Sequence, residues 1–187
     1  MKDLITYYHL YNRGCNREKI FFKEKHYLFF LSKIKSTYQE KHIRIAAYCL
    51  MPNHYHLLVG CDEYRKIADW MKNILNGFVQ AINKDMNRKG TLFESHMKHI
   101  AINEEGYLIH LVRYIHLNPA ITGLCAQPEQ WQYSNCQEWL GLRSGTLFDR
   151  DFFNTYFETH LQYKEFLEAY QDYKEQQKSI RKYLFYE

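Results

Sequence analysis

Apolar positions recur at two spacings along the 187-residue chain, and the switches between them delimit its elements. Thr6 to Asn12 (TYYHLYN) is rich in β-forming residues and predicts a strand, ended by Arg13-Gly14. Phe21 to Lys41 changes to helical spacing, with Tyr27, Phe30, Leu31 and Ile34 on one face. His42 to Leu50 predicts a second strand, running into the breaker Met51-Pro52-Asn53. Tyr55 to Gly60 predicts a third, close enough to the second to pair as a hairpin. Arg65 to Asn87 is a long amphipathic helix, its inner stripe formed by Ile67, Trp70, Met71, Ile74, Phe78 and Ile82. A fourth strand is expected at Lys98 to Ile102, then a helix from Glu104 to Leu117 that Asn118-Pro119 stops.

The order β-α-β-β-α-β-α predicts an α+β fold of the ferredoxin-like split βαβ type. Its antiparallel sheet carries helices on one face, which leaves the other face for a site and for one further helix. Residues 1–139 are read as one domain. Residues 140–187 are read as a helical C-terminal extension, with helices at Asp151 to Phe157 and Leu161 to Tyr183.

The sharpest chemical feature is Asn53-His54-Tyr55-His56. Side chains alternate on a strand, so His54 and His56 share a face and Tyr55 points away. Two imidazoles on one face can hold one divalent ion if a third ligand comes from elsewhere. Taken alone, the pair reads somewhat more readily as structural or solvent-exposed histidines than as a metal pair. On the last predicted helix Tyr114 and Asn118 are an i,i+4 pair. Leu108, Val112 and Ile115 form the stripe that docks this helix, leaving the Tyr–Asn face toward a cleft. An asparagine amide oxygen suits a hard cation, and a phenolate one turn away, at about 6 Å, can attack phosphorus. His110 could assist proton transfer but reads as a surface or packing residue; His116 reads as structural, and His9 could border the site.

Composition narrows the setting. Hydrophobic residues at 46% and charged residues at 25% are globular proportions. A net charge of +4 is compatible with a polyanionic partner without demanding one. The five cysteines lack any C-x-x-C pair, which argues against a zinc ribbon and a disulfide framework and fits a reducing cytoplasm. The longest apolar stretch, Ile45 to Met51, is far short of the roughly 20 residues a bilayer requires, and no signal peptide is expected. There is no Walker A loop and no G-x-G-x-x-G, so no nucleotide cofactor is expected.

With these residues in view, Tyr48-Cys49-Leu50-Met51-Pro52-Asn53-His54-Tyr55-His56-Leu57-Leu58-Val59 resembles the signature of the HUH single-tyrosine transposases, where U is a large hydrophobic residue. Tyr8-His9-Leu10-Tyr11-Asn12-Arg13-Gly14, Gly90-Thr91-Leu92-Phe93, Tyr114-Ile115-His116-Leu117-Asn118-Pro119 and Trp131-Gln132-Tyr133-Ser134 are similar to the REP-associated tyrosine transposase branch. The resemblance spans about residues 4 to 136. It implies a metal, Mg2+ or Mn2+, on His54, His56 and Asn118, and a nucleophile at Tyr114. It also implies cutting of single-stranded DNA beside imperfect hairpins, with the 5′ end held as a phosphotyrosine. Two positions depart: Ile121 stands where many relatives have arginine, and His96 replaces the usual basic residue after Leu-Phe-x-x.

Expected DNA contacts are Arg13, Arg17 and Lys19 after the first strand, Arg88 and Lys89 after the long helix, and Lys98 and Arg113 nearer the site, with Asn12 in a base-reading loop. The chain is expected to act as a monomer or homodimer without a membrane. Two other readings remain at this stage. One is a non-cutting hairpin-binding protein derived from a transposase; the other is a small-phosphoester hydrolase using metal-bound water.

Overall fold

A computed structural model describes residues 5–169 of the chain. Four strands, β1 (Thr6–Arg13), β2 (Arg44–Met51), β3 (His54–Cys61) and β4 (Lys98–Ile102), form one sheet in the order β2-β3-β1-β4. Every neighbouring pair is antiparallel. Helices α1 (Glu24–Thr37) and α2 (Tyr64–Asp85) complete the split βαβ arrangement, as the hydrophobic pattern predicts. β2 and β3 are a hairpin whose last pair is Met51 with His54, so Pro52 and Asn53 alone make the turn.

The sheet is buried on both faces, so its strands read as near-continuous apolar runs. On one face Leu10, Tyr55, Leu57 and Val59 pack with Phe30, Trp70, Ile74 and Phe78 of α1 and α2. The opposite face is largely covered rather than free. There Ala47, Cys49, Met51 and Leu58 pack against α3 (Glu105–Ile121) and, further on, α4 (Cys136–Trp139), α5 (Arg150–Tyr156) and α6 (His160–Glu168). Trp139 is the hub of this second core, fully buried, with its indole N–H donating to the Ala46 carbonyl at 3.0 Å.

Three boundaries move. α3 does not stop at Asn118-Pro119 but runs through Pro119 to Ile121. The backbone N–H of Thr122 and its hydroxyl both donate to the Asn118 carbonyl, and Gly123, at φ 76°, ends the helix. α1 begins only at Glu24, because the backbone N–H groups of Ile20 and Phe21 both donate to the Pro52 carbonyl. This pins the segment before α1 to the β2–β3 turn. α6 ends at Glu168; the remainder of the helix expected to Tyr183 lies outside the described residues.

The loop after β1 is anchored at both ends. Gly14 donates its backbone N–H to the Asn53 carbonyl at 2.8 Å, and the Asn53 amide donates to the Arg17 carbonyl at 3.3 Å. A Cβ on Gly14 would lie 2.0 Å from the Glu18 carbonyl oxygen, so this close turn requires glycine. Gly14→Ala is expected to displace residues 15–19 and destabilise the chain by about 1–3 kcal/mol, read from the urea midpoint.

Candidate functional site

Cross-strand register gathers the polar side chains on one face of the sheet. Arg13, His54 and Met51 are aligned across β1, β3 and β2; the next row runs Lys98, Tyr11, His56 and Cys49 from β4 to β2. Directly opposed residues project to the same face. His9 lies on this face too, one pair further on opposite Leu58. α3 packs over these rows, with Leu108, Leu111, Val112 and Ile115 buried as its docking stripe.

Tyr114 and Asn118 face the same strands. Rather than looking into an open cleft, they pack on the histidines within one chain. The Tyr114 ring stands edge-on to His56 at 5.6 Å between centroids, and the Asn118 amide nitrogen lies 3.3 Å from His56 Nε2. His54 and His56 have their rings 4.9 Å apart. Tyr114, His54, His56 and Asn118 are all at most 5% exposed.

Hydrogen bonds define the proton positions. His54 Nδ1 lies 2.7 Å from the Asn53 side-chain oxygen, which can only accept, so Nδ1 carries the proton and Nε2 the lone pair. That Nε2 is buried and has no hydrogen-bond partner. The Asn118 amide is near enough to favour the protonated form of His54 slightly, but its hydrogen-bond geometry is to His56. Burial, reinforced by the positive charge of Arg13, lowers the His54 pKa from 6.5 to about 4. Burial lowers that of His56 well below its ordinary value, with His54 and His9 adding to the effect. Both imidazoles are therefore neutral at pH 7, the form that ligates metals.

Among the described residues, no cluster of three His, Cys, Asp or Glu side chains could hold a metal. Any third side-chain donor to an ion at the histidine pair would be of another residue type. The Asn118 amide fits, since it offers either nitrogen or oxygen to the same point by a half-turn about its terminal bond. A buried, partnerless imidazole nitrogen beside a second neutral imidazole and an amide is a donor set that suits a divalent ion.

A cleft of about 500 Å3, lined by Arg13, Arg17 and Lys19 with Asn53 and Thr122, reaches the site at His54. Arg17 and Lys19 are exposed; Arg13 is half-buried and paired with Glu94 at 3.2 Å. Exposed Leu124 lines the same cleft, and Ile121, also exposed, ends α3 nearby. Lys98 is exposed on the histidine face, one strand beyond Tyr11. Arg88 and Lys89 lie elsewhere, with the Arg88 guanidinium 5.3 Å over Phe22 on the α1–α2 side.

Asn12 and Arg113 are engaged within the fold. Asn12 is buried, its amide donating to the Ser95 carbonyl and its oxygen accepting from the Arg13 N–H. Arg113 is buried, donating from Nη1 to the Phe166 carbonyl at 2.9 Å, with its guanidinium 4.1 Å over the Phe166 ring. His110 contacts this same guanidinium, 2.9 Å from Nη2.

His116 is structural, as its sequence context indicates. It is fully buried between the Tyr163 hydroxyl at 2.5 Å and the Asn135 side-chain oxygen at 2.9 Å. Burial lowers its pKa to about 4, against the smaller opposing effect of the Asn135 bond. A histidine with a depressed folded pKa binds fewer protons folded than unfolded between that value and 6.5, so stability rises with pH there. Acidification from pH 7.5 to 5 is therefore expected to lower the urea midpoint, by about 2 kcal/mol from His116 alone. A midpoint that stays level over this range would show that the buried imidazoles are protonated without penalty.

Two supporting residues escape local sequence patterns. Asn53 sets the tautomer of His54 from within the turn, and His9 reaches His56 from a strand 47 positions earlier. For Asn53 the sequence signal is membership of a motif block; for His9 it is a place on the first strand that could border the site, with no partner named.

A family model described as "Transposase IS200 like" matches residues 4–118. Among solved structures, the chain is similar to one described as a REP-associated tyrosine transposase bound to a REP hairpin. Identity is 19%, coverage 77% of this chain and 87% of that one, and the TM-score 0.59, a likeness of fold. It is also similar to a putative transposase from Deinococcus radiodurans R1 at 16% identity, covering 60% of this chain and 89% of that one, with a TM-score of 0.44. No curated protein matches the sequence. Among the described residues, no helix is long and apolar enough to cross a membrane.

Proposed function

The chain belongs to the IS200-like transposase family, and on that basis we propose that it is a metal-dependent endonuclease and strand-transferase for single-stranded DNA beside hairpins. The observation that carries this reading is the meeting, within one chain, of a neutral imidazole pair, the Asn118 amide and the Tyr114 ring, with a basic cleft reaching His54.

The Tyr114 oxygen attacks the scissile phosphorus and displaces the 3′ oxygen of the preceding nucleotide, which takes up a proton to leave as a 3′-hydroxyl. The 5′ end is retained as a phosphotyrosine. A second 3′-hydroxyl reverses the step on the same phosphorus, returning the proton to Tyr114. One phosphoester replaces another each time, so no nucleotide cofactor is needed. Bound at His54, His56 and Asn118, Mg2+ or Mn2+ supplies charge neutralisation at the scissile phosphate. Burial of the imidazoles keeps them unprotonated and excludes water that would compete with the phenol.

Arg13, Arg17 and Lys19 line the route to His54 and suit the backbone phosphates of the bound strand. Leu124 offers an apolar edge against a base. Lys98 extends the positive field across the sheet. The hairpin in the solved neighbour's description makes a hairpin the partner to test first.

If Arg13, Arg17, Lys19 and Lys98 neutralise phosphates, the log–log salt slope of single-strand affinity is expected to be about −2.8. Substituting both Arg17 and Lys19 by alanine should reduce its magnitude by about 1.4, measured by fluorescence anisotropy from 50 to 300 mM salt. An unchanged slope would place the DNA away from the cleft.

The reading itself is tested with a labelled single-stranded oligonucleotide carrying an imperfect hairpin, incubated with Mn2+ and resolved under denaturing conditions. A protein–DNA adduct together with a free 3′ fragment is expected. Tight binding without adduct would instead make the chain a non-cutting hairpin-binding relative.

A further inference from the structure

We propose that His9 is a positioning residue that holds the His56 imidazole in the tautomer and orientation needed to ligate a metal. This rests on the metal reading of His54, His56 and Asn118 above. His9 is fully buried on β1, on the same face as the two site histidines. Its Nε2 lies 2.9 Å from His56 Nδ1, and the rings are 5.1 Å apart and nearly parallel at 24°. On its opposite edge, His56 Nε2 receives the Asn118 amide at 3.3 Å.

The proton inventory follows from these contacts. With the Asn118 amide nitrogen turned toward it, His56 Nε2 presents a lone pair and the ring's proton is on Nδ1. That proton needs a buried acceptor, and His9 Nε2 is placed to be one. Without it, Nδ1–H would be left inside the protein with no acceptor, a loss the ring escapes by changing tautomer or turning. Either change removes the Nε2 lone pair from the point where His54 and Asn118 converge. A ligating histidine held by a hydrogen bond on its other nitrogen is a general device for fixing ring orientation. Asn53 does the same for His54 from the adjacent position in the chain, so each imidazole has its own support.

The test uses the full chain in three forms: wild type, His9→Phe, which keeps a ring against Tyr11, and His9→Gln, whose side-chain oxygen can accept. Nitrogen-15 NMR of the metal-free histidines is expected to show His56 as the Nδ1–H tautomer in the wild type and a mixed or reversed population in His9→Phe. Calorimetric titration with Mn2+ is expected to show affinity about 10–100-fold weaker in His9→Phe and largely recovered in His9→Gln. Wild-type tautomer and affinity in His9→Phe would overturn the proposal, as would an equal loss in His9→Gln, which would mark simple packing. If His9→Phe does not fold, an Nε2–H tautomer at His56 in the wild type overturns it unaided. Absence of Mn2+ uptake by a wild type whose tautomer depends on His9 would remove the metal reading and leave the orientation in place.

Discussion

Tyr114→Phe is expected to eliminate the covalent protein–DNA adduct and reduce strand cleavage by at least about 10^4-fold, while leaving hairpin affinity within about twofold. Tyr114 is buried with its ring edge-on to His56, and phenylalanine keeps both the ring and that contact. Deleting one hydroxyl costs about 1 kcal/mol of stability, which leaves the fold intact. Mn2+ binding should also persist, because the proposed ligands are His54, His56 and Asn118. The atom removed is the one proposed to bond phosphorus. Quantitative gel analysis of a labelled hairpin substrate, with anisotropy as the binding control, separates these outcomes. Undiminished cleavage would shift the chemistry to metal-bound water and make Tyr114 a packing residue.

What sequence could and could not disclose follows from the range of the interactions. His54 and His56 share a face because a strand alternates, and Tyr114 and Asn118 share one because a helix turns. Both regularities are local, and the structure brings the two pairs together. His9 has no local partner to mark it. Its relation to His56 exists only through the β1–β3 register, and a lone histidine on a strand cannot announce that. Pro119 misled for a related reason. A proline removes one N–H and crowds the carbonyl four residues earlier, which can kink a helix without ending it; here α3 continues two residues past Pro119 and Thr122 caps it. Arg113 shows the same limit for charge. A cation next to Tyr114 reads as a phosphate ligand until α6 arrives from 53 residues away to receive it. In the second core α5 and α6 begin within one residue of where the sequence places them, whereas the single turn of α4 is too short for a periodicity and is fixed by the burial of Trp139.

His54→Leu and His116→Leu should separate the binding histidine from the structural one by opposite effects on stability. His54 buries a nitrogen with no hydrogen-bond partner, an arrangement that disfavours the folded state by about 1–3 kcal/mol. Leucine removes that atom. It also gives up the bond to Asn53, worth about 1 kcal/mol, but leaves an oxygen on a half-buried turn where water can replace the lost donor. The urea midpoint of His54→Leu is therefore expected to be unchanged or slightly higher, while Mn2+ affinity and cleavage fall at least about 100-fold. His116 is the reverse case, bonded on both edges deep in the second core. Leucine there strands the Tyr163 hydroxyl and removes one partner of the Asn135 oxygen, destabilising the fold by about 2–4 kcal/mol. It also loosens α6 from α3, the helix that carries Tyr114 and Asn118, so residual activity should be more temperature-sensitive than in the wild type. A site that must capture an ion keeps an unsatisfied atom and tolerates the loss in stability; a core histidine leaves none. If His54→Leu unfolds as readily as His116→Leu, both are packing residues and the ion has no place among them.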